Sequence, residues 1–425
     1  MRISTLNTNH ELWLPYAQMK TVLAPGHVVK AEGTRLYLDD GTTLIDGIAS
    51  WWCVIHGYNH PVLNKTVEEQ LAKFAHVMMG GLVHDAALRL AQELVRVTPK
   101  GLNHVFFADS GSVGVEVALK MAIQFWHNTG VGEKSRFVAL RGGYHGDTTG
   151  AMSVSDDQGM HCLFKGTLLP QYFVMAPGGE SVESAECQES LRQLAELFSS
   201  SASHIAGMIL EPVFQGAGGF HFYPAEYLQQ VRRLCDEYNV LLMFDEVATG
   251  FGRTGAMFAA DLAGVTPDIM VLSKALTGGY FGLSATLATS RVFDSFLSND
   301  PGRAFMHGPT FMGHAVACAV ALASIGLFAH ENYLEKIAAI ERVLNEELLG
   351  VIGPSVRNTR VKGAIGVVEF NSAADLKGVQ EFARERGVWL RPLGQWLYTM
   401  PPYVIEEGEL RKVTTVMREW AIMHR

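Results

Sequence analysis

The sequence predicts an α/β fold in which helices cover both faces of a mostly parallel sheet. Two observations predict it: short runs that are apolar at successive positions, and helical patterns that separate those runs along the chain. The 425 residues are 48% hydrophobic and 18% charged, which is enough for a large core. We predict a large domain at 61–325 and a smaller α+β domain to which both termini, 1–60 and 326–425, contribute.

The elements follow this plan in order. Residues 28–47 alternate β-rich runs with EGT and DDG turn signals, which predicts a small antiparallel meander. From about residue 60, HPVLNKTVEEQLAKF and HDAALRLAQELVRV carry helical periodicity. The alternating region then gives predicted strands at 104–108, 136–140, 205–210, 240–244, 269–272 and 283–288, with a helix at 224–238.

The last part of the chain has a different pattern. Residues 313–329 and the following ENYLEKIAAIERVLNEELL predict one or two long helices that lead away from the large domain. Beyond them, AIGVVEF, a helix near 375–386, VWLRP and a last helix from about 406 predict the small α+β domain.

Composition excludes several classes of partner. The net charge of −9 and the absence of a dense basic run argue against nucleic acid or an anionic membrane surface. No leader-like apolar segment opens the sequence and no long apolar run follows, so we expect a cytoplasmic protein. Five scattered cysteines without a CxxC pair predict reduced thiols. No metal site is expected, since Gly57, Asn59 and Pro61 break any helix that would pair His56 with His60.

Two polar turns follow predicted strands at the sheet edge where α/β proteins bind ligands. After Ala108, the turn Asp109–Ser112 opens a helix whose free N–H groups could hold a phosphate, although an ordinary capped helix explains the same residues. In LRGGYHGD, Tyr144 stands on a glycine-flanked turn from which its ring could lie over another ring. A packed tyrosine on a rigid turn is an equal alternative.

Two charged residues follow the next strands. Asp245 ends an apolar run, where a carboxylate needs a positive partner such as a pyridinium nitrogen. The alternative is that Asp245 or Glu246 caps the next turn or pairs with Arg253. Lys274 follows another apolar run, and a desolvated amine there has a lowered pKa and can form a Schiff base. A lysine that extends to solvent is the alternative.

These four strand ends together supply a phosphate cradle, a stacking ring, a carboxylate and an amine, which are the groups that pyridoxal 5′-phosphate (PLP) requires. The stretches FFADSGSVGVEVALKMA, GGYHGDTTGAMS, ILEPVFQGAGG, FDEVATGFGRTG, SKALTGG and MHGPTFMG resemble the class III (ω-) aminotransferases, in the family's order. The resemblance implies a fold-type I PLP-dependent transferase with a seven-stranded, mostly parallel sheet.

Other stretches resemble one branch of that family. They are LPYAQM, DGIASWWCVIHGYNHP, HVMMGGLVH and VWLRPLGQWLYTMPPY. This branch transfers an amino group from S-adenosyl-L-methionine to 8-amino-7-oxononanoate, giving 7,8-diaminononanoate in biotin biosynthesis. Ala248 after DEV and the absence of proline in GGYFGLSA fit the branch, whereas His314 and Ala315 stand where it usually has Asn-Pro.

Alternatives remain open within and outside the family. The chain could use lysine as donor, or be another ω-aminotransferase acting on 4-aminobutyrate, ornithine or a diamine, against which Trp52 with Tyr398 argues. A non-catalytic PLP protein or a nucleotide-binding module is the alternative from another class. GFGRTG lacks the Lys-Ser/Thr of a phosphate loop, which disfavours nucleotide binding.

The resemblance also implies roles for single residues. Lys274 would form the Schiff base and move the proton, Asp245 would keep the ring nitrogen protonated, and Tyr144 would stack on the ring. Because two subunits build each site in the family, a homodimer is expected. Further implied contacts are Gly111, Ser112 and Val113 for the phosphate; Gly308, Pro309 and Thr310 for the neighbouring subunit's phosphate; Arg391 for a substrate carboxylate; and Tyr16, Trp52, Tyr144, Gly308 and Tyr398 for the substrate pocket.

Three further expectations concern residues near this site. In WWCVIHGYNHP we expect Trp51, Val54 and Ile55 to pack into the core, while Trp52 faces the substrate. For Arg253 and Glu211, a salt bridge that braces a turn explains each residue as well as a role in the site does.

Overall fold

The computed structural model describes residues 11–22, 24–156 and 158–423. Its strands form a large sheet and three smaller ones. In chain order the strands are β1 (Val28–Glu32), β2 (Arg35–Leu38), β3 (Thr43–Asp46), β4 (Leu102–Ala108), β5 (Arg136–Leu140), β6 (Tyr172–Val174), β7 (Ile205–Leu210), β8 (Phe214–Gln215), β9 (His221–Phe222), β10 (Leu241–Asp245), β11 (Ile269–Leu272), β12 (Ser284–Thr289), β13 (Val356–Lys362), β14 (Ile365–Phe370), β15 (Val388–Trp389) and β16 (Trp396–Thr399).

Thirteen helices are present in the described residues, among them a single turn at Ala49–Trp52 and two long helices, at Ala315–His330 and Tyr333–Leu348, that follow the last strand of the large sheet. In chain order they are α1 (Ala49–Trp52), α2 (Pro61–Leu71), α3 (Asp85–Val97), α4 (Gly111–Asn128), α5 (Thr149–Val154), α6 (Ala185–Ser201), α7 (Glu226–Glu237), α8 (Ala259–Ala263), α9 (Ser290–Asp294), α10 (Ala315–His330), α11 (Tyr333–Leu348), α12 (Val379–Glu385) and α13 (Glu407–Met423).

The large sheet has seven strands in the order β4-β12-β11-β10-β7-β5-β6. Strand β12 runs antiparallel to both of its neighbours, and the remaining pairs are parallel. Along β10, Leu241 and Met243 belong to one core cluster and Leu242 and Phe244 to the other, so both faces are buried. The predicted fold class and strands are confirmed, and the seventh strand, β6, is a short edge strand that apolar patterning did not predict.

The N-terminal and C-terminal parts of the chain share a sheet. The meander β1-β2-β3 is extended by β15, which pairs in parallel with β3 through Val388 opposite Ile45. A separate sheet, β13-β14-β16, is antiparallel and packs against α11. This arrangement brings residues near 50 and near 390 to the same place, although the domain boundaries themselves stay a prediction.

Several strands of the large sheet end at one edge, and their carboxyl ends carry the polar residues singled out above. Strand β4 leads into α4, β10 ends at Asp245, and β11 is followed by Ser273 and Lys274. Strand β7 is followed by Glu211 and β5 by the turn that carries Tyr144. Parallel pairing therefore gathers residues that lie far apart in sequence.

In the described part of the chain no single helix is long and apolar enough to cross a membrane. Helices α10 and α11 pass that test only as a pair, and they are bent by 71° relative to each other.

Candidate active site

The β4–α4 turn forms an open helix N-terminus. Ser110 caps α4, its side chain accepting a hydrogen bond from the Val113 N–H at 3.4 Å. A Cβ added to Gly111 would lie 2.8 Å from a Val247 methyl carbon, and one added to Gly114 would lie 2.8 Å from a Val271 methyl carbon. Only glycine therefore lets α4 start this close to the sheet. The first N–H groups of a helix have no intrahelical partner and attract anions.

Asp245 is a buried carboxylate at the end of β10. Its Oδ2 lies 2.8 Å from His145 Nδ1, and its Oδ1 accepts a hydrogen bond from the Val247 N–H at 3.0 Å. Among the described residues no lysine or arginine forms an ion pair with it, and His145 is its side-chain hydrogen-bond partner. The interpretation that Asp245 pairs with Arg253 is wrong. His145, which the sequence reading left without a role, orients this carboxylate.

Glu246, the next residue, holds the segment that follows it through hydrogen bonds. Glu246 is fully buried and accepts hydrogen bonds from the N–H groups of Ala259 and Ala260 and from the Thr249 hydroxyl, at 2.7–2.9 Å. The alternative that this carboxylate braces the following segment therefore holds for Glu246. Burial raises its pKa to about 7.

Arg253 and Glu211 brace backbone, but neither forms an ion pair within the described residues. The guanidinium of Arg253 donates to the carbonyls of Pro401 at 2.9 Å and Ala364 at 3.2 Å, which ties the large domain to the C-terminal part. Glu211 accepts the N–H groups of Tyr144 at 3.0 Å and Gly216 at 2.8 Å, and burial raises its pKa to about 7. The alternative of a turn-bracing salt bridge is therefore wrong for both residues, which brace main-chain groups through hydrogen bonds instead.

Lys274 projects from a strained position after β11. Its φ of 44° is in the left-handed region, a strain of the kind that concentrates at functional sites. The ammonium nitrogen lies 4.3 Å from the centre of the Trp52 ring. Burial lowers the pKa of Lys274, and the carboxylates of Asp245 and Glu211 oppose that shift without reversing it. The amine is therefore easier to deprotonate than an ordinary lysine.

Two cavities meet at Lys274. The smaller, of ≈ 150 Å³, lies between the α4 turn, Asp245 and Tyr144. The larger, of ≈ 580 Å³, extends from Tyr144 to Arg391 and Tyr398. Lys274, Tyr144 and Trp52 line both cavities, so a group bound in the smaller one can react with a molecule in the larger one.

A polar cluster at the rim includes a residue that the sequence reading missed. The Tyr144 hydroxyl donates to Asp147 at 3.0 Å and lies 3.3 Å from the Tyr16 hydroxyl, which also bonds to Asp147. His161 lies 3.0 Å from the same carboxylate. The available signal was the acidic residue in YHGD directly after the tyrosine turn. Tyr144 is thus held at its tip by Asp147 and at its backbone by Glu211.

The larger cavity has aromatic walls. Trp52 is only 6% exposed and packs edge-on against Phe220 and Tyr398, with ring centres 6.0 and 6.2 Å apart. Arg391 lines the same cavity, and within the described residues no carboxylate forms an ion pair with it. The cation of Arg391 is therefore available to an anionic group in the cavity.

Trp51 departs from the prediction. We expected it in the core, but it is 38% exposed, lines the larger cavity and lies 4.9 Å from the Arg391 guanidinium carbon. Its ring also meets Tyr16 edge-on. Val54 and Ile55 are buried as predicted. The prediction for Trp51 is wrong because its backbone is left-handed, which changes where consecutive side chains point.

The loop with Gly308, Pro309 and Thr310 lies outside both cavities of its own chain. Gly308 and Thr310 are exposed, and the flanking Met306 and Phe311 are 79% and 56% exposed. After the loop, His314 precedes α10, which begins at Ala315.

The residues around the smaller cavity fit pyridoxal phosphate. A helix N-terminus stands ready for a phosphate, a buried carboxylate for a ring N–H, and a deprotonatable amine for an aldehyde. The Nδ1 atom of His145 bonds to Asp245, and its buried Nε2 atom has no hydrogen-bond partner among the described residues. The fold and this site define a PLP-dependent enzyme.

Comparison with known proteins gives the family. Residues 16–420 match the family Aminotransferase class-III. The adenosylmethionine-8-amino-7-oxononanoate aminotransferase of Mycobacterium leprae (strain TN) is 44% identical over 429 residues, covering 99% of this chain and 97% of that protein. The chain belongs to the class III aminotransferases.

Solved structures agree with this assignment. The adenosylmethionine-8-amino-7-oxononanoate aminotransferase from Methanocaldococcus jannaschii DSM 2661 superposes with a TM-score of 0.90 at 32% identity, covering 96% of each chain. An amine transaminase from an uncultivated Pseudomonas species, in its PLP-bound form, gives 0.89 at 30% identity, covering 97% and 98%. The predicted family and the predicted cofactor, pyridoxal phosphate, are confirmed.

Proposed function

We propose that this chain transfers the amino group of S-adenosyl-L-methionine to 8-amino-7-oxononanoate, forming 7,8-diaminononanoate for biotin biosynthesis. The observation that carries the proposal is the junction at Lys274, where the smaller cavity meets the larger, aromatic-walled cavity with its available arginine. The relatives from Mycobacterium leprae and Methanocaldococcus jannaschii, which bear the name of this reaction, support it.

We assign the smaller cavity to the cofactor. The N–H groups of Gly111 and Ser112 would bind the phosphate, together with that of Val113, which donates to Ser110 at 3.4 Å in this structure; Asp245, oriented by His145, would hold the ring nitrogen protonated. Tyr144 places its ring beside the cofactor, because Glu211 and Asp147 fix its two ends. The bound cofactor supplies an aldehyde for the amino group and a ring that draws electrons from the substrate carbon.

Lys274 is the residue that links the cofactor and moves the proton. Its amine, with a pKa lowered by burial, would take the proton from the substrate carbon that carries the amino group and deliver it to the cofactor carbon that bears the aldehyde; in the second half of the reaction it would move a proton in the opposite direction. Trp52 covers this amine from one side at 4.3 Å and keeps bulk water away from it. The reaction alternates donor and acceptor in the same chamber.

Arg391 binds a substrate carboxylate at the wall of the larger cavity. In 8-amino-7-oxononanoate the carboxylate lies at the opposite end of the carbon chain from the reacting carbonyl. The carbonyl can then sit at Lys274 while the apolar chain lies along the wall that Trp52 and Tyr398 form, and the carboxylate meets the planar guanidinium. Tyr16 and Tyr144 close the polar side of the chamber.

We further propose a cytoplasmic homodimer. Gly308, Pro309 and Thr310 reach the phosphate site of the neighbouring subunit, which accounts for a loop that is exposed and flanked by exposed Met306 and Phe311 in a single chain. Sedimentation velocity on the holoenzyme tests this assembly, and a monomer with full activity would contradict it.

Stopped-flow absorbance of the bound cofactor tests the reaction. The holoenzyme is mixed in turn with S-adenosyl-L-methionine, lysine, 4-aminobutyrate and glutamate, and then with 8-amino-7-oxononanoate. We expect S-adenosyl-L-methionine to change the cofactor absorbance and the keto acid to restore it. If only lysine changes the cofactor absorbance, lysine is the donor in place of S-adenosyl-L-methionine. If 4-aminobutyrate changes the absorbance and the keto acid does not restore it, the proposed reaction is refuted.

A further inference from the structure

The segment before the site contains a left-handed helical turn made without glycine. The four successive residues Ala49, Ser50, Trp51 and Trp52 have φ values of 46°, 45°, 60° and 76°. This region is costly for a residue with a Cβ, and single residues rather than runs normally enter it. Turn α1 therefore persists only because other contacts hold it.

Asp46 supplies the contacts at the start of the turn. Its side chain is fully buried, and its carboxylate accepts the Ile48 N–H at 2.9 Å, the Ser50 N–H at 3.0 Å and the Tyr58 hydroxyl at 2.5 Å. Tyr58 has a single proton, so the Ser50 hydroxyl donates to the Tyr58 oxygen, 2.5 Å away. Within the described residues no lysine or arginine forms an ion pair with Asp46; burial raises the pKa of this carboxyl, and the hydrogen bonds that converge on it offset that effect in part.

Turn α1 carries Trp51 and Trp52, which both line the larger cavity, called the substrate chamber below. Trp52 covers the Lys274 ammonium at 4.3 Å, while Trp51 lies 4.9 Å from the Arg391 guanidinium carbon. These two contacts are at the reacting end and at the carboxylate end of the chamber. The backbone of α1 therefore sets the distance between the two places where a substrate is held. Asp46 itself lines neither cavity.

We infer that Asp46 is a positioning residue, whose carboxylate holds α1 left-handed and thereby places Trp51 and Trp52 in the substrate chamber. The inference rests on the proposed function only for the identity of the substrate. Lys274, Asp245 and the α4 turn belong to other elements and keep their places when Asp46 changes. The affinity for substrate therefore depends on Asp46 more strongly than the affinity for cofactor, because Trp52 lines both cavities but the other groups around the smaller one belong to other elements.

Asp46→Asn tests the inference, because the amide has the same shape but offers one acceptor oxygen and a donor where three donors now converge. For the holoenzyme we expect the KM for 8-amino-7-oxononanoate to rise at least ~10-fold, kcat to fall by a smaller factor because Trp52 also covers Lys274, and the cofactor absorbance to stay unchanged. Near-UV circular dichroism should change, since it reports on the tryptophan environment.

Ala49→Gly supplies the matched rescue. Glycine enters the left-handed region without the Cβ penalty, and Ala49 is fully buried and has no side-chain hydrogen bond to lose. In the double variant Asp46→Asn with Ala49→Gly, the KM should return most of the way to the parent value. Ala49→Gly alone should keep the parent KM. A merely structural role of Asp46 predicts a lower Tm with unchanged KM and no recovery, which would overturn the inference.

If Asp46→Asn does not fold, Tyr58→Phe removes a single donor and is measured instead. It should raise the KM about 3-fold with kcat retained, and an unchanged KM in this variant would overturn the inference. Failure of the parent enzyme to turn over the keto acid would refute the proposed function. The circular dichroism and the recovery by Ala49→Gly, read with whichever substrate the parent accepts, would still decide the role of Asp46.

Discussion

Replacing Arg391 by methionine tests the chamber at the point where the proposed function is most specific. The change removes the guanidinium but keeps an unbranched apolar stem, which preserves packing on Trp51. Arg391 is half-buried, lines the larger cavity and forms no ion pair within the described residues. Its loss therefore leaves no described carboxylate unpaired, and the fold should tolerate it.

The magnitude follows from the two hydrogen bonds of a guanidinium–carboxylate pair. Each hydrogen bond to a charged group contributes about 1.5–3 kcal/mol, and the half-buried position favours the lower end of that range. Loss of both corresponds to about 3 kcal/mol, or ~10²-fold in kcat/KM for 8-amino-7-oxononanoate. The substitution also removes the cation–π contact between the guanidinium and the Trp51 ring, which contributes about 0.5–1 kcal/mol to the free energy of unfolding. Tm should therefore fall by only a few degrees.

The assay compares two acceptors, the keto acid and the analogue that lacks the carboxylate. Arg391→Met should reduce kcat/KM for the first ~10²-fold and leave the second within a few-fold. Arg384→Met is the matched control, because Arg384 lies with Trp51 and Arg391 along a separate cavity next to the larger one but does not line the larger cavity itself. Equal losses with both acceptors, or an equal loss in the control, would refute the clamp.

Three other changes give separate tests. Lys274→Ala should abolish transamination and the covalent link to the cofactor, checked by whether cofactor absorbance stays with the protein after borohydride reduction and denaturation; full turnover would disprove its role. Trp52→Ala should raise KM and lower kcat while cofactor stays bound, with an unfolding cost of about 3–5 kcal/mol for the buried ring; loss of cofactor would show that Trp52 is only a core residue. Glu211 and Glu246 have pKa values raised to about 7, above the ordinary value of 4.5. Their contribution to stability is therefore full below pH 4.5 and is lost as the pH rises to 7, by up to about 3 kcal/mol each; Glu246→Gln should flatten the urea-unfolding free energy over this window.

Residues that directly follow a buried strand were predictable from the sequence. Lys274 and Asp245 are polar residues after apolar runs, and parallel strands bring their carboxyl ends together whatever lies between them. The α4 turn was equally readable, because Ser110 and Gly111 are a cap and a close-approach glycine. These signals are local, and the fold converts them into a site by one general rule.

Contacts that depend on distant pairing were not predictable in this way. Asp147 belongs to the site because Tyr16, more than a hundred residues earlier, reaches its carboxylate. His145 acquires its role from Asp245, on a different strand. Strand β6 has only three residues, too few for a period to show. The roles of Asp147 and His145 depend on partners that only tertiary packing brings close, and β6 is too short for its pattern to be recognised.

The two tryptophans show a different limit. Rules for reading which side of an element a residue faces assume periods of 2 or 3.6, which belong to extended and right-handed backbones. In α1 neither period applies, so placing Trp52 in the pocket gave no valid reason to place Trp51 in the core. A usable signal lay upstream: the carboxylate of Asp46 bonds to the N–H two residues on, as aspartate does when it starts a turn. Read in that way, DGIASWW describes a turn held by a buried acid, and both aromatic residues after it are free to line one chamber.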